Sequence, residues 1–203
     1  MFYEPKSGHP FPHDPFKAIV APRPIGWVST IDREGRPNLA PYSFFNAFGS
    51  DPPFVGFSSE GLKHSAGNAR ETGEFVFNLA TLPMVEAVNL SSADFAAGVN
   101  EFERAGLAAA PCRLVRPPRV SGSPASLECR VVHVLELKTS GGNASDRWLV
   151  IGEVIGVHID EAFVTDGRFD TLKAKIIARC GYKDFSVLDN LFEMGRPRVT
   201  DVT

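Results

Sequence analysis

The chain has no block of basic residues, no long apolar run and no paired cysteines, and each absence narrows what it can be. Lys and Arg number 21 against 24 Asp and Glu, for a net charge of −3, and they are not clustered. Binding to a nucleic-acid backbone needs clustered cations, so nucleic acid is not an expected partner. No apolar stretch approaches the roughly 20 residues that span a bilayer. The opening MFYEPKSGHPFPHDPF has neither a basic nor an apolar leader region, so it is not a secretory signal and the expected address is cytoplasmic. The three cysteines, Cys112, Cys129 and Cys180, are odd in number and widely spaced, which argues against a disulfide framework and against a zinc site. Cys129 lies in the strand-like LECRVVHVLEL and reads as a small core residue. Cys180, beside Gly181, has no base next to it. GxGxxG, the Walker loop, His-x-Glu, Cys-x-x-Cys and Gly-x-Ser-x-Gly are all missing. A hydrolase triad and a metal centre therefore have no support, and a nucleotide would be held by some geometry other than the Rossmann or P-loop one.

What is present suits one domain with a substantial core. The chain has 203 residues, 43% apolar and 22% charged, the balance of an ordinary globular protein. Residues 1–18, rich in Pro, His and Phe and without periodicity, read as an arm. Residues 19–197 form the domain, and 198–203 a tail. Ile25–Ile31 has a strand pattern, Asp32–Gly35 a hairpin turn with Gly35 at positive φ, and Asn38–Phe45 the returning strand. Asp51-Pro52-Pro53 breaks the ladder before a strand over Phe54–Ser58. A helix is expected over Gly61–Glu71 and a strand over Glu74–Leu79. Helical patterns follow over Leu82–Gly98 and Asn100–Ala108, then an extended Pro111–Pro118. Pro124–Lys138 and Trp148–Ile159 are long strand patterns joined by the polar loop Thr139–Arg147. Phe169–Ala178 reads as a short helix, and Phe185–Pro197 as a helix or turn with an extended end. Strands dominate with helices inserted between them, so a partly closed antiparallel, Greek-key-like barrel fits better than alternating βαβ units.

Three groups of residues could carry chemistry. In Tyr42-Ser43-Phe44-Phe45-Asn46, alternation puts Ser43 and Phe45 on one face and Tyr42, Phe44 and Asn46 on the other. A fraying strand end there leaves backbone groups free for the edge of a heteroaromatic ring, although a core strand with an Asn turn reads the same way. Ser58 and Ser59, followed by Lys63-His64-Ser65 at a helix start, would make a phosphate cradle: free N–H groups and the macrodipole favour an anion, and Lys63 adds a charge. An exposed, capped helix start is the plainer alternative. Trp27 and the sixteen phenylalanines, seven of them between Phe44 and Phe77, could wall a flat ring system, or simply fill a core. His133 and His158 lie in strand patterns and are the natural acid–base candidates, though a histidine so placed is more often structural.

Taken in order, APRPIGWVSTID, NLAPYSFFNAFGSDPPFVGFS and KHSAGNARETGEFVFNLA resemble the flavin reductase-like family of FMN-binding split-barrel proteins, in its flavoredoxin-like branch. SLECRVVHVLEL, VIGEVIGVHIDEAFV and ARCGYKDFSVLDNLFEMGRP extend the resemblance over about residues 17–197. It implies a mainly β split barrel with helical insertions, and a homodimer with FMN near the subunit interface. It puts the phosphate at Ser58, Ser59, Lys63, His64 and Ser65, the ribityl chain and ring against Tyr42, Ser43, Phe44, Phe45 and Asn46, and Trp27 near the flavin. The implied activity is an NAD(P)H:flavin reductase, with NADH or NADPH as donor. The alternatives are an electron-transfer flavoprotein serving a redox partner and a non-catalytic flavin-binding protein. One departure stands out. Many members carry Gly-Asp-His ahead of a Gly-Glu-Val strand, where the His is associated with the nicotinamide. Here Ser145-Asp146-Arg147-Trp148 occupies that stretch. Alternation lets only one of Arg147 and Trp148 face the flavin, and Arg147 is the expected one, with His133 and His158 as substitutes that do not match by position.

Overall fold

A computed structural model describes residues 1–198; of the expected tail, 199–203 lie outside the described residues. The chain order is α1 (Phe16–Ile19), β1 (Arg23–Pro24), β2 (Gly26–Ile31), β3 (Pro37–Tyr42), β4 (Phe45–Ser50), β5 (Pro53–Glu60), α2 (His64–Thr72) and β6 (Glu74–Leu79). Then come α3 (Val85–Leu90), α4 (Glu101–Arg104), β7 (Ala109–Ala110), β8 (Arg119–Val120), β9 (Ala125–Lys138) and β10 (Ala144–Ile159). The short strands β11 (Val164–Thr165), β12 (Arg168–Phe169), β13 (Ile177–Arg179) and β14 (Phe185–Val187) complete the set.

The main sheet has seven antiparallel strands in the order β3-β2-β6-β9-β10-β5-β4. Its two edge strands, β3 and β4, are consecutive in the chain and are joined by Ser43-Phe44 alone. The sheet curls until Tyr42 at the end of β3 packs its ring 4.6 Å from that of Phe57 on β5. The fold is thus a split antiparallel barrel, as expected, and the split lies where β3 hands over to β4.

Strand β2 explains why the curl is stable. All six of its residues are buried, and alternation sends neighbours to two different cores. Trp27 joins Leu39, Val88, Phe102, Val120 and Ile177 on the helix-covered side. Val28 joins Phe57, Phe75, Cys129, Val150 and the Ala66 and Ala69 face of α2 on the other. Asn78 on β6, fully buried, ties the layers with its whole amide: Nδ2 donates to Trp27 O and Ser29 Oγ, and Oδ1 accepts from Val120 N–H and the Ser126 hydroxyl. Gly152 is required by packing, since a Cβ there would sit 2.4 Å from Phe75 Cε1.

Several expectations are corrected. The returning strand does not run through to Phe45. It stops at Tyr42 and restarts at Phe45, so the alternation across Ser43-Phe44 is lost. Tyr42 and Phe45 therefore both pack on the same core. The expected helix over Phe169–Ala178 is absent. Asp170 accepts from Lys173 N–H and the Thr165 hydroxyl, Lys175 adopts φ 48°, and Ile177 enters a strand. The helix expected over Leu82–Gly98 shrinks to a 3-10 turn at Leu82–Met84 and α3. The end after Phe185 starts as β14 rather than a helix. The arm does pack on the body. Gly181 leaves room for Ala18, whose Cβ would lie 2.5 Å from any added methyl. Arg23 donates to the carbonyls of Lys17, Val20 and Cys180.

Candidate functional site

Two cavities meet at the split. One, of about 300 Å³, is lined by Asn38, Tyr42, Lys63, His64, Ser65 and Glu101, with Ser91 to Phe95 along its far wall. The other, of about 330 Å³, is lined by Ile25, Ser43, Val88, Asn89, Arg179, Lys183 and Phe185. Pro41 and Ser92 belong to both, so the pair forms one continuous recess. It runs from the start of α2 past the barrel's split to the C-terminal strands. The volumes are those of small-molecule sites.

The first half is polar. Lys63 occupies the N-cap of α2 without a side-chain capping bond, so the helix opens with backbone N–H groups that no side chain of its own satisfies. Lys63 Nζ lies 3.2 Å from Asp94, an exposed pair. Ser65, buried, accepts from Asn38 Nδ2 at 2.9 Å. Ser59 on β5 is 1% exposed and lines neither cavity, and its hydroxyl lies against that of Tyr42. Burial pushes the Tyr42 phenol pKa up, against the pull of the Ser65 and Ser59 hydroxyls and the Lys63 charge, so Tyr42 stays a protonated donor. Burial also raises the Glu101 carboxyl, while the Leu39 N–H it accepts and the nearby His64 act in the opposite direction.

The second half has Ile25, Pro41, Val88 and Phe185 as apolar walls. Polar atoms come from Ser43 and Asn89, and two cations, Arg179 and Lys183, stand at its rim. The Arg179 guanidinium lies 4.6 Å over the Phe185 ring and donates to Asp184 O and Tyr182 O, which fixes its direction.

The structure brings Tyr42, Ser43, Lys63, His64 and Ser65 together on this recess, with Ser59 behind Tyr42. It places the other candidates elsewhere. Phe44 is 43% exposed at the split, 5.7 Å from the Arg23 guanidinium, and its carbonyl accepts from Ser58 N–H. Phe45 stacks on Phe77 inside the core. Asn46 is exposed and accepts from Ala47 N–H. Ser58 is half-buried and lines neither cavity. Trp27 is corrected: it is fully buried and has no surface to offer a ligand. Its indole N–H donates to Ser91 Oγ at 2.9 Å, so it props the wall from behind.

The acid–base candidates also fall outside. His133 is exposed on β9, and His158 is bonded to Glu128 at 2.5 Å beside a different cavity. Arg147, expected to face the site, instead pairs with Glu60 across the β5–β10 ladder at 3.3 Å, and both are exposed. Trp148, opposite Ser59, turns toward α2, with the Arg70 guanidinium 6.0 Å from its ring. Reading the sequence missed Asn38, Asn89, Ser91, Ser92, Asp94, Glu101, Arg179 and Lys183. Only the last two had a signal, as the cations of the ARCGYKDF stretch.

Residues 20–173 match the family model described as the flavin reductase like domain. A protein of unassigned function from Deinococcus radiodurans is 36% identical over 192 residues, covering 88% of this chain and 82% of its own. Nitrilotriacetate monooxygenase component B from Bacillus cereus superposes with a TM-score of 0.85 at 27% identity, over 96% of this chain and 98% of its own. Flavoredoxin of Desulfovibrio vulgaris superposes with a TM-score of 0.77 over 86% of this chain and 91% of its own, where 21% identity speaks for the fold alone.

Proposed function

We propose, for a chain that belongs to the flavin reductase-like domain family, that the recess binds FMN and that the protein is an oxidoreductase using it, with NADH or NADPH as the electron donor. The observation that carries the reading is the pairing of an uncapped helix start, with Lys63, His64 and Ser65 around it, with a second cavity walled by Ile25, Pro41, Val88 and Phe185. The first is fitted to a phosphate and the second to a ring. When bound, FMN would supply the redox chemistry itself, as an acceptor of hydride from a reduced nicotinamide.

The chain's residues bind and tune. The α2 N–H groups, Lys63 Nζ and the Ser65 hydroxyl hold the phosphate. Tyr42, protonated and fixed against Phe57, donates where the two cavities join. Pro41, Ile25 and Val88 exclude water from the ring, and Arg179 and Lys183 favour an electron-rich ring over a neutral one. No side chain is required as a proton donor. We further read the chain as a cytoplasmic homodimer. Phe2 and Phe16 of the arm, with Ile19 and Val20 just after it, expose 86%, 51%, 74% and 47% of their surface, an apolar set suited to a second copy.

A second reading has an observation in its favour. None of His133, His158 and Arg147 reaches the recess, so none of these three replaces the family's nicotinamide-side histidine there. That favours an electron-transfer flavoprotein reduced by a protein partner over a reductase. Steady-state oxidation of NADH and NADPH with added FMN separates the two. Turnover with either supports the reductase. Flavin that binds but is reduced only by an external donor supports the electron carrier. Failure to bind FMN in equilibrium dialysis refutes both.

A further inference from the structure

Away from the recess, the strap Pro111–Pro118 crosses the β9–β10 ladder and brings three donor atoms together. Cys112 Sγ, a carboxylate oxygen of Glu128 and a ring nitrogen of His158 all lie within 4.8 Å of one another. The local sequence explains the meeting. A bulge between Val154 and Gly156 shifts the register of β10, so Gly156 faces Glu128 and His158 follows two residues later on the same side. A Cβ on Gly156 would come within 3.4 Å of the Glu128 side chain and 3.3 Å of Leu114. Its absence leaves Glu128 room to reach both His158 and the strap. Glu128 is 1% exposed and accepts the N–H groups of Arg113, Leu114 and Val115 at 2.8, 2.6 and 3.0 Å. Those bonds explain the carboxylate as an anchor for the strap. They do not explain the thiol and imidazole set beside it.

We propose that Cys112 Sγ, Glu128 Oε1 and His158 Nε2 form a three-ligand site for a thiophilic divalent cation of the zinc class. Sulfur, nitrogen and oxygen together suit zinc or cobalt and are wrong for magnesium or calcium. A dication with one thiolate and one carboxylate leaves the buried cluster neutral, whereas Glu128 alone, held in its charged form by the strap N–H groups and His158, is a buried anion. Binding displaces the Cys112 thiol proton, and the cation takes the place of the Glu128 contact at His158 Nε2, whose lone pair it uses. Burial and the Glu128 charge push that thiol up to about 12, so the cation itself must drive the deprotonation. His158 Nε2 and Glu128 Oε1 are 2.5 Å apart. Tetrahedral bonds of about 2.0–2.1 Å set such ligands roughly 3.3 Å apart, so the His158 ring swings out by something under an ångström. It has room, because His158 and Glu128 line a cavity of about 580 Å³. That cavity gives the cation an entry path and leaves its fourth position for water. The cluster is invisible in the sequence, where its members stand at 112, 128 and 158 with no ligand spacing.

The test uses the full chain freed of metal by chelation and dialysed against Zn²⁺. The expected result is one zinc per chain, a raised Tm, and loss of both in Cys112→Ala and His158→Gln. FMN affinity should be the same with and without zinc. Titration of the flavin-free wild type with Co²⁺ should give thiolate-to-cobalt charge-transfer absorption, a readout that needs no variant to fold and that Cys112→Ala abolishes. No retained zinc overturns the proposal. So does zinc retained equally by wild type and both variants, with no charge-transfer band, which would assign the metal to surface groups such as His13 and His133.

Discussion

Replacing Lys63 by alanine should weaken FMN binding and leave riboflavin binding nearly untouched. A charge-assisted hydrogen bond to phosphate contributes about 1.5–3 kcal/mol. Lys63 is 56% exposed, and solvent screening puts it at the low end of that range. To serve a phosphate it must also give up Asp94, an exposed pair worth about 0–1 kcal/mol. The net is about 0.5–1.5 kcal/mol, a roughly two- to twelvefold loss of affinity. The helix N–H groups and the Ser65 hydroxyl remain, so binding is weakened rather than abolished. Asp94→Asn should act in the opposite direction: it frees Lys63 and removes a carboxylate from the path of a dianion, tightening FMN by roughly two- to fivefold. Quenching of flavin fluorescence on titration with protein measures all four combinations of variant and ligand. The opposite signs matter, because general damage to the recess would weaken both flavins in both variants. Equal FMN affinity in wild type and Lys63→Ala, or a parallel loss for riboflavin, would show that the phosphate lies elsewhere.

Other parts of the structure yield predictions of their own. Arg147→Ala should leave FMN affinity and any nicotinamide KM unchanged and shift the urea midpoint little, since an exposed cross-strand pair contributes about 0–1 kcal/mol; a severalfold rise in KM would return Arg147 to the site. Glu101 has a folded-state pKa above its unfolded value, so its stabilising contribution is complete below the ordinary carboxylate range of about 4.3 and is lost as pH rises through the raised value. Glu101→Gln should remove that leg from the plot of Tm against pH, and an unaltered plot would refute the assignment. Light scattering at micromolar concentration should give twice the 22.1 kDa chain mass, and a monomer with FMN bound would contradict the dimer. Gly152→Ala forces a methyl into Phe75 and should cost about 1–3 kcal/mol by overpacking, read as a lower urea midpoint with an unchanged slope.

The sequence displayed the strands better than the helices, for a physical reason. Strand β6 was expected over Glu74–Leu79 and lies there, because alternation, a flanking Gly73 at φ 75° and Phe/Val content all agree. Gly35 likewise sits at φ 82° in the expected turn. Where local propensity and tertiary demand part, tertiary demand wins. The stretch after Phe169 has helical composition, but Ile177 is needed on β13, paired with Val187 and bonded to Ala80 O. A short helix over Phe169–Ala178 is worth less than that burial.

The site was half legible for a related reason. Lys63, His64 and Ser65 are adjacent in the chain, and a helix start announces what its N–H groups can hold. The rest of the recess is assembled at long range: Asn38 on Ser65, Glu101 on Leu39, Ser91 on Trp27, and Arg179 and Lys183 from the far end of the chain. Nothing local marks such residues, because each is recruited by the curl of the sheet rather than by its neighbours. Trp27 shows the converse error. Its strand position was right and its role was not, because alternation tells which face a residue takes but not what covers that face. Here α3 and Ser91 cover it, so the indole reaches a ligand only through Ser91. A Trp27→Phe variant isolates that step: the core volume is nearly kept while the Ser91 hydroxyl loses its donor. Because the indole N–H supports one wall rather than touching the flavin, FMN affinity should fall by no more than roughly fivefold, the value of about one neutral hydrogen bond. A loss beyond a hundredfold with an unchanged Tm would mean that Trp27 meets the flavin directly, and that the recess opens further on binding than this structure shows.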